Sequence, residues 1–204
     1  MQAAWTWVKM MEERETGEMQ EKREEYARVI DFMSSGKSFS NRAEPIAQLV
    51  GEEWFTLLEA QPREAVTLQL AERVYIGREE RDKIYLIKGR IEYENLTQTA
   101  KNELPTVVTQ IILDNERRFI DVFNKSGPLN IREHSLELLP GIGKKHLSSI
   151  LEARDKKPFE SFADLKSRVP LLQDPVKLLR DRVISELMGN ERFYMFVKPY
   201  RKRV

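Results

Sequence analysis

The chain has 204 residues, 41% hydrophobic and 33% charged, enough apolar material to bury a core in one large domain or two small ones; this argues against disorder throughout. A formal net charge of +1 hides an uneven distribution, because residues 130–204 carry 16 Lys and Arg against 10 Asp and Glu, a net of +6, whereas residues 1–129 carry −5. Without cysteine there are no disulfides, thiolate nucleophiles or cysteine-type zinc sites, and no apolar run approaches the ~20 residues that span a bilayer, so the chain reads as soluble and cytoplasmic, with no membrane partner.

Residues 1–25 read as a charged N-terminal arm, with runs such as Met10-Met11-Glu12-Glu13-Arg14-Glu15 and Glu21-Lys22-Arg23-Glu24-Glu25 that hold too few apolar positions for a packed face. From Tyr26 the pattern changes. Tyr26–Phe32 predicts a strand followed by loop chemistry at Ser34–Ser38, and three further strands are expected in Glu44–Val50, Trp54–Glu59 and Val66–Leu70, each short, apolar or β-branched and bounded by Gly51 or Pro62. Arg73–Gly77 and Lys83–Ile87, separated by the charged stretch Arg78–Asp82, predict a hairpin whose second arm runs on through Gly89 to Tyr93. At Thr97 the period changes to about 3.6: Val108, Ile111, Ile112, Phe119, Val122 and Phe123 share one stripe. One long amphipathic helix is expected, kinked at or beginning near Pro105 and ending at Gly127-Pro128, the best domain boundary in the chain.

Beyond that boundary, Ser135–Leu139 predicts a short helix that Pro140-Gly141-Ile142-Gly143 interrupts before helical character resumes over Lys144–Arg154. The glycines permit a tight reversal, Ile142 can plug the gap between the helices, and Gly143 would let a phosphate approach the backbone with no Cβ in the way. The amides opening the second helix would then face outward at the positive end of its dipole, beside Lys144 and Lys145. Leu138-Leu139-Pro140-Gly141-Ile142-Gly143-Lys144-Lys145 resembles the helix-hairpin-helix of DNA-repair, recombination and RNA-associated proteins. That resemblance implies phosphate contact without base reading, with Gly141, Ile142, Gly143, Lys144 and Lys145 as binding residues. Arg154, Lys156 and Lys157, which follow the second helix, and the basic tail Lys198–Val204 would broaden the surface. The bland alternative is a tight turn between packed helices.

A second copy is offered by Ser161–Val169, Pro170–Asp174 and Pro175–Leu187. Ser161 and Asp164 have capping-box spacing, and Asp174 before Pro175 supplies a cap and a preset first turn. This copy lacks Gly-x-Gly, so it is expected to brace the first without forming an equal phosphate site.

Taken together, Glu44–Gly51, Phe55–Glu59, Glu72–Gly77, Leu136–Lys145 and Lys157–Phe162 resemble an archaeal family of unknown function whose members are described as predicted RNA-binding proteins, over about Tyr26–Val197. The resemblance implies an α+β chain: a small β-barrel of the OB or S1-like kind with a C-terminal long helix over residues 26–127, then an all-α helix-hairpin-helix domain over 128–204. OB-type barrels stack bases on exposed aromatics; Trp54, Phe55, Tyr75, Tyr85 and Tyr93 are available, although aromatics in alternating strands usually face inward. There is no Walker loop, His-Glu-x-x-His or activated-serine motif, and His134 and His146 are not spaced as a metal pair. The chain therefore reads as non-catalytic, with no cofactor and no metal. Its expected partner is an RNA phosphate backbone within a ribonucleoprotein. The alternatives are duplex DNA in repair or replication, or a protein scaffold whose hairpin is purely structural.

Overall fold

Among the described residues, five strands, β1 Tyr26–Met33, β2 Ile46–Gly51, β3 Leu57–Pro62, β4 Arg73–Tyr75 and β5 Ile84–Arg90, precede five α-helices: α1 Gln98–Asp114, α2 Glu116–Lys125, α3 Lys144–Lys156, α4 Phe162–Arg168 and α5 Pro175–Met188. A computed structural model describes residues 23–36, 44–189 and 191–199. Most of the charged arm, Lys37 and Ser38, and Tyr200–Val204 of the basic tail lie outside the described residues. The described chain divides into two compact units, one centred on the sheet and reaching Val107, the other running from Val108 to Glu186 and rejoined by the segment ending at Met195. That division runs through α1, upstream of Gly127-Pro128.

The sheet is antiparallel and ordered β4-β1-β2-β3-β5, an open half-barrel with β4 and β5 as its edges. Its core gathers Val29, Leu49, Leu58, Val74, Ile76 and Ile84, the inward set of a period-two pattern. Three expectations need correction here. Arg73–Gly77 and Lys83–Ile87 do not pair as a hairpin: β4 joins β1 through Tyr26 and Tyr75, and β5 joins β3 through Ala60 and Ile87. Their apolar residues serve opposite sides of one core, and the charged connection crosses between them. Val66–Leu70 is not a strand, because turns close from Val66 N–H to Arg63 O and from Glu72 N–H to Gln69 O, with Ala65 and Ala71 at φ 61° and 63°. Finally, β3 begins at Leu57 because Trp54 and Phe55 belong to the β2–β3 turn, where Phe55 adopts φ 50°.

Glu24, assigned above to the arm, is instead a buried fastener of the sheet unit. Its carboxylate accepts from the amides of Glu53 (2.8 Å), Trp54 (2.9 Å) and Thr56 (3.0 Å). Gly51 makes room for it: a Cβ there would sit 2.0 Å from the Glu24 Cδ.

The expected single long helix is two helices. Helix α1 starts upstream of Pro105, where Thr97 Oγ1 accepts from Ala100 N–H at 3.0 Å and itself donates to Asp31 at 2.5 Å. The break falls at Asn115, whose side-chain amide donates to Ile111 O at 2.8 Å while its backbone leaves helical geometry. A helix ends where a side chain can satisfy its last carbonyls.

In the helical unit, arginines perform that task repeatedly. Arg154 donates to Phe123 O (3.1 Å) and Ser126 O (2.7 Å) at the end of α2, and Arg168 donates to Ala153 O and Lys157 O at the end of α3. Arg182, 5% exposed, donates to Leu138 O and Phe193 O and pairs with the buried Glu186 at 2.8 Å. Asn124 exchanges two hydrogen bonds with the backbone of Phe159, which fixes the α3–α4 connection against α2.

Candidate functional site

The residues singled out by the motif meet at the start of α3. A 3-10 turn, Ser135–Leu138, is capped by His134, whose Nδ1 accepts from Leu136 N–H at 3.1 Å, while Glu137 accepts from His134 N–H at 2.9 Å. The His-x-x-Glu spacing was legible as a cap signal and was missed because histidine is an uncommon capping residue. The chain then reverses: Ile142 N–H donates to Leu139 O at 3.1 Å, both side chains are buried, and Gly141 takes φ +88°, a conformation that favours glycine. His146 Nδ1 lies 2.9 Å from Gly141 O and donates to it.

Gly143 is the cap residue of α3, and no side chain satisfies the first-turn amides. Its φ is −97°, which any residue adopts, and a Cβ built on it meets nothing within 4 Å. Nothing in the fold therefore demands glycine there. The first turn holds no acidic residue and opens with Lys144 and Lys145. Lys144 is ion-paired to Glu137 at 2.8 Å and donates to Arg132 O at 3.0 Å, and the ammonium, with the His134 amide, holds the Glu137 carboxyl below the ordinary carboxylate range. Lys145 is exposed and enters no ion pair among the described residues.

The other proposed contacts are dispersed. Lys156 and Lys157 are exposed at the far end of α3, where Lys157 pairs with Glu160 at 2.7 Å. Arg154 does not join a phosphate-facing surface in this arrangement: its side chain is 19% exposed and its guanidinium is engaged on the carbonyls ending α2. Burial, then the Arg154 charge, lower the pKa of His134, so that its imidazole keeps the neutral form its cap requires.

The second turn repeats the first with different chemistry. Leu172 N–H donates to Val169 O at 3.0 Å, and Val169 and Leu172 are buried as Leu139 and Ile142 are. Ser161 caps α4 by accepting from Asp164 N–H at 3.1 Å, whereas Asp164 returns its bond to Glu160 N–H, so the capping box is half formed. Asp174 accepts from Val176 N–H at 3.1 Å, closing the start of α5 with its own carboxylate. The two turns are neighbours: a Cβ placed on Gly141 would lie 3.6 Å from the Gln173 side-chain amide. Among the described residues there is no cluster of three or more His, Cys, Asp or Glu able to hold a metal, and no helix is long and apolar enough to cross a membrane.

Fold and site together define a mixed α+β protein, with an open antiparallel sheet and helices arranged about two adjacent proline-marked turns. The chain belongs to the DUF655 family of proteins of unknown function, which it matches over residues 23–198; that match begins beside Glu24. It is 42% identical over 180 residues to the uncharacterised protein MJ0038 of Methanocaldococcus jannaschii, covering 87% of this chain and 82% of that one. The crystal structure of Af1531 from Archaeoglobus fulgidus, of the same family, is similar with a TM-score of 0.81 at 45% identity, over 86% of this chain and all of that one.

Proposed function

We infer that this chain is a non-catalytic nucleic-acid-binding protein that holds a backbone phosphate at the start of α3, the two adjacent turns acting as a helix-hairpin-helix pair and the sheet unit as an OB-like half-barrel. The observation that carries the reading is the missing cap. Of the described helices, α3 is the one with neither a side-chain cap nor an acidic first-turn residue. Lys144 is neutralised by Glu137, which leaves Lys145 opposing the dipole by ~0.3–1 kcal/mol. An anion at the open amides turns that arrangement from a cost into a binding site. Gly143, with open space around its missing Cβ, leaves the approach clear.

Binding would transfer Lys144 from Glu137 to the phosphate, joining Lys145. Asp174 closes the second turn, which leaves one open anion site and suits the grip of a single strand; RNA is the favoured ligand, in a cytoplasmic ribonucleoprotein. The side-by-side placement of the turns favours duplex DNA as the second reading. Fluorescence anisotropy against matched single- and double-stranded RNA and DNA, titrated with salt, tests all of this. Tight binding with a steep salt slope is expected, and Lys144→Ala/Lys145→Ala should flatten that slope by roughly 0.7–0.9 per lost phosphate contact. Absence of binding to all four would replace the reading with a protein-interaction scaffold.

A further inference from the structure

The two most exposed large apolar side chains among the described residues are Ile131, at 105% relative exposure, and Leu171, at 81%. Each belongs to a turn with a neighbouring residue in contact with the start of α3 or the reversal before it. Ile131 stands at the apex of a closed loop. Asn130 Oδ1 accepts from Arg132 N–H (2.8 Å) and Glu133 N–H (3.0 Å), Leu129 N–H donates to Glu133 O (2.8 Å), and Pro128 bridges to His134. Lys144 fastens that loop to α3 through Arg132 O. Leu171 occupies the tip of the second turn, between the buried Val169 and Leu172, with Gln173 against Gly141. Isolated exposed apolar residues are common on protein surfaces. These two are distinguished by turns that are tied to the start of α3, one through Arg132 O and Lys144 and the other through Gln173 beside Gly141.

We propose that Ile131 and Leu171 are apolar wedges that press between or against the bases of the strand whose phosphate is held at α3, an inference that rests on the nucleic-acid reading above. Charge complementarity selects the occupant. A ligand meeting the open amides, Lys144 and Lys145 must be anionic there and yet offer apolar faces to two exposed side chains on the adjoining turns. A nucleotide strand combines both in one repeat, since each phosphate is followed by a flat, weakly hydrated base, and minor-groove binders of duplex DNA insert Ile or Leu between stacked base steps. The wedges add affinity and local unstacking, while the salt slope remains set by the lysines.

The test uses the full chain and single-stranded oligonucleotides carrying 2-aminopurine at successive positions, with fluorescence and anisotropy recorded together. Wild type should bind with a steep salt slope and raise 2-aminopurine emission at one or two positions. Ile131→Ser/Leu171→Ser should bind about tenfold more weakly with the same salt slope and no emission rise, and Leu113→Ser, at another exposed apolar position, should behave as wild type. Circular dichroism confirms that each variant is folded. If wild type binds steeply and the double variant matches it in affinity and emission, the wedges are refuted and the phosphate site stands. If wild type binds no oligonucleotide, both readings fall together, and capture of an acidic peptide bearing apolar residues would identify the occupant that displaced them.

Discussion

Replacing Gly143 with aspartate gives α3 the cap it lacks. The position has φ −97° and empty space where the side chain would grow, so the substitution enters without strain. The new carboxylate would accept from the first-turn amides and lie beside Lys144 and Lys145. Relative to glycine an aspartate N-cap contributes a few tenths of a kcal/mol, and a carboxylate at the dipole's positive end about 0.3–1 kcal/mol more. A gain of about 1 kcal/mol raises Tm by about 2–4 °C in a chain of this size. The same carboxylate would occupy the anion site. Losing one charge-assisted contact, worth about 1.5–3 kcal/mol, weakens binding by roughly ten- to more than a hundredfold. Thermal unfolding by circular dichroism, paired with anisotropy of a labelled oligonucleotide, reads both effects on one sample. A Gly143→Asp protein that is more stable and binds as tightly as wild type would refute the phosphate site; one that is less stable would refute the account of α3 as an uncapped helix.

Gly141→Ala should lower stability by about 1–2 kcal/mol, because φ +88° is strained for any residue with a Cβ, and a thermal melt beside Gly143→Ala should separate the structural glycine from the dispensable one. Because the pKa of His134 is lowered from 6.5 in the fold, the unfolded chain takes up that proton first. Its contribution to stability is therefore complete above about pH 6.5 and declines as pH falls toward the folded pKa; urea midpoints at pH 7.5 and 5.5 should differ more in wild type than in His134→Asn. Arg182→Ala removes the counter-charge of Glu186, which is 2% exposed and also accepts from Met195 N–H at 2.7 Å, and should cost about 3–5 kcal/mol by urea unfolding; a loss below about 1 kcal/mol would show that the pair is not holding the segment ending at Met195. Gly51→Ala should expel the Glu24 carboxylate from its three amides, visible as a lower Tm and faster hydrogen exchange at Trp54 and Thr56.

Strands β1 and β2 and helices α3, α4 and α5 were legible because their signals are local: alternation, Ser161 and Asp174 as caps, glycine at a reversal. The pairing of β4 and β5 was not, since charged residues between two short strands look the same whether the chain turns back or crosses the sheet. The break at Asn115 went unseen for a related reason: a proline advertises interruption in the sequence, while a side-chain amide satisfying Ile111 O does so only in three dimensions. In the candidate site, the reversal at Gly141 and the burial of Ile142 follow the geometry read from the motif, whereas Gly143 takes a φ open to any residue. Arg154 was misread because its acceptors are backbone carbonyls of Phe123 and Ser126, which leave no trace in residue identity. Glu24 was lost among neighbouring charges for want of any local mark of burial.

The division of labour between the two basic residue types has its own consequence. Arg154, Arg168 and Arg182 are committed to interior carbonyls, while Lys144, Lys145, Lys156, Lys157, Lys166 and Lys177 all face solvent. A guanidinium fork can recognise the two acceptors of a guanine edge, whereas an ammonium is a point charge that any nearby oxygen satisfies. Arg117, Arg132 and Arg192 remain exposed, but on the proposed reading the charges at the start of α3 itself are lysines, which would hold phosphate without reading bases and would be open to neutralisation by acetylation, at Lys145 without disturbing the Arg154, Arg168 and Arg182 fastenings.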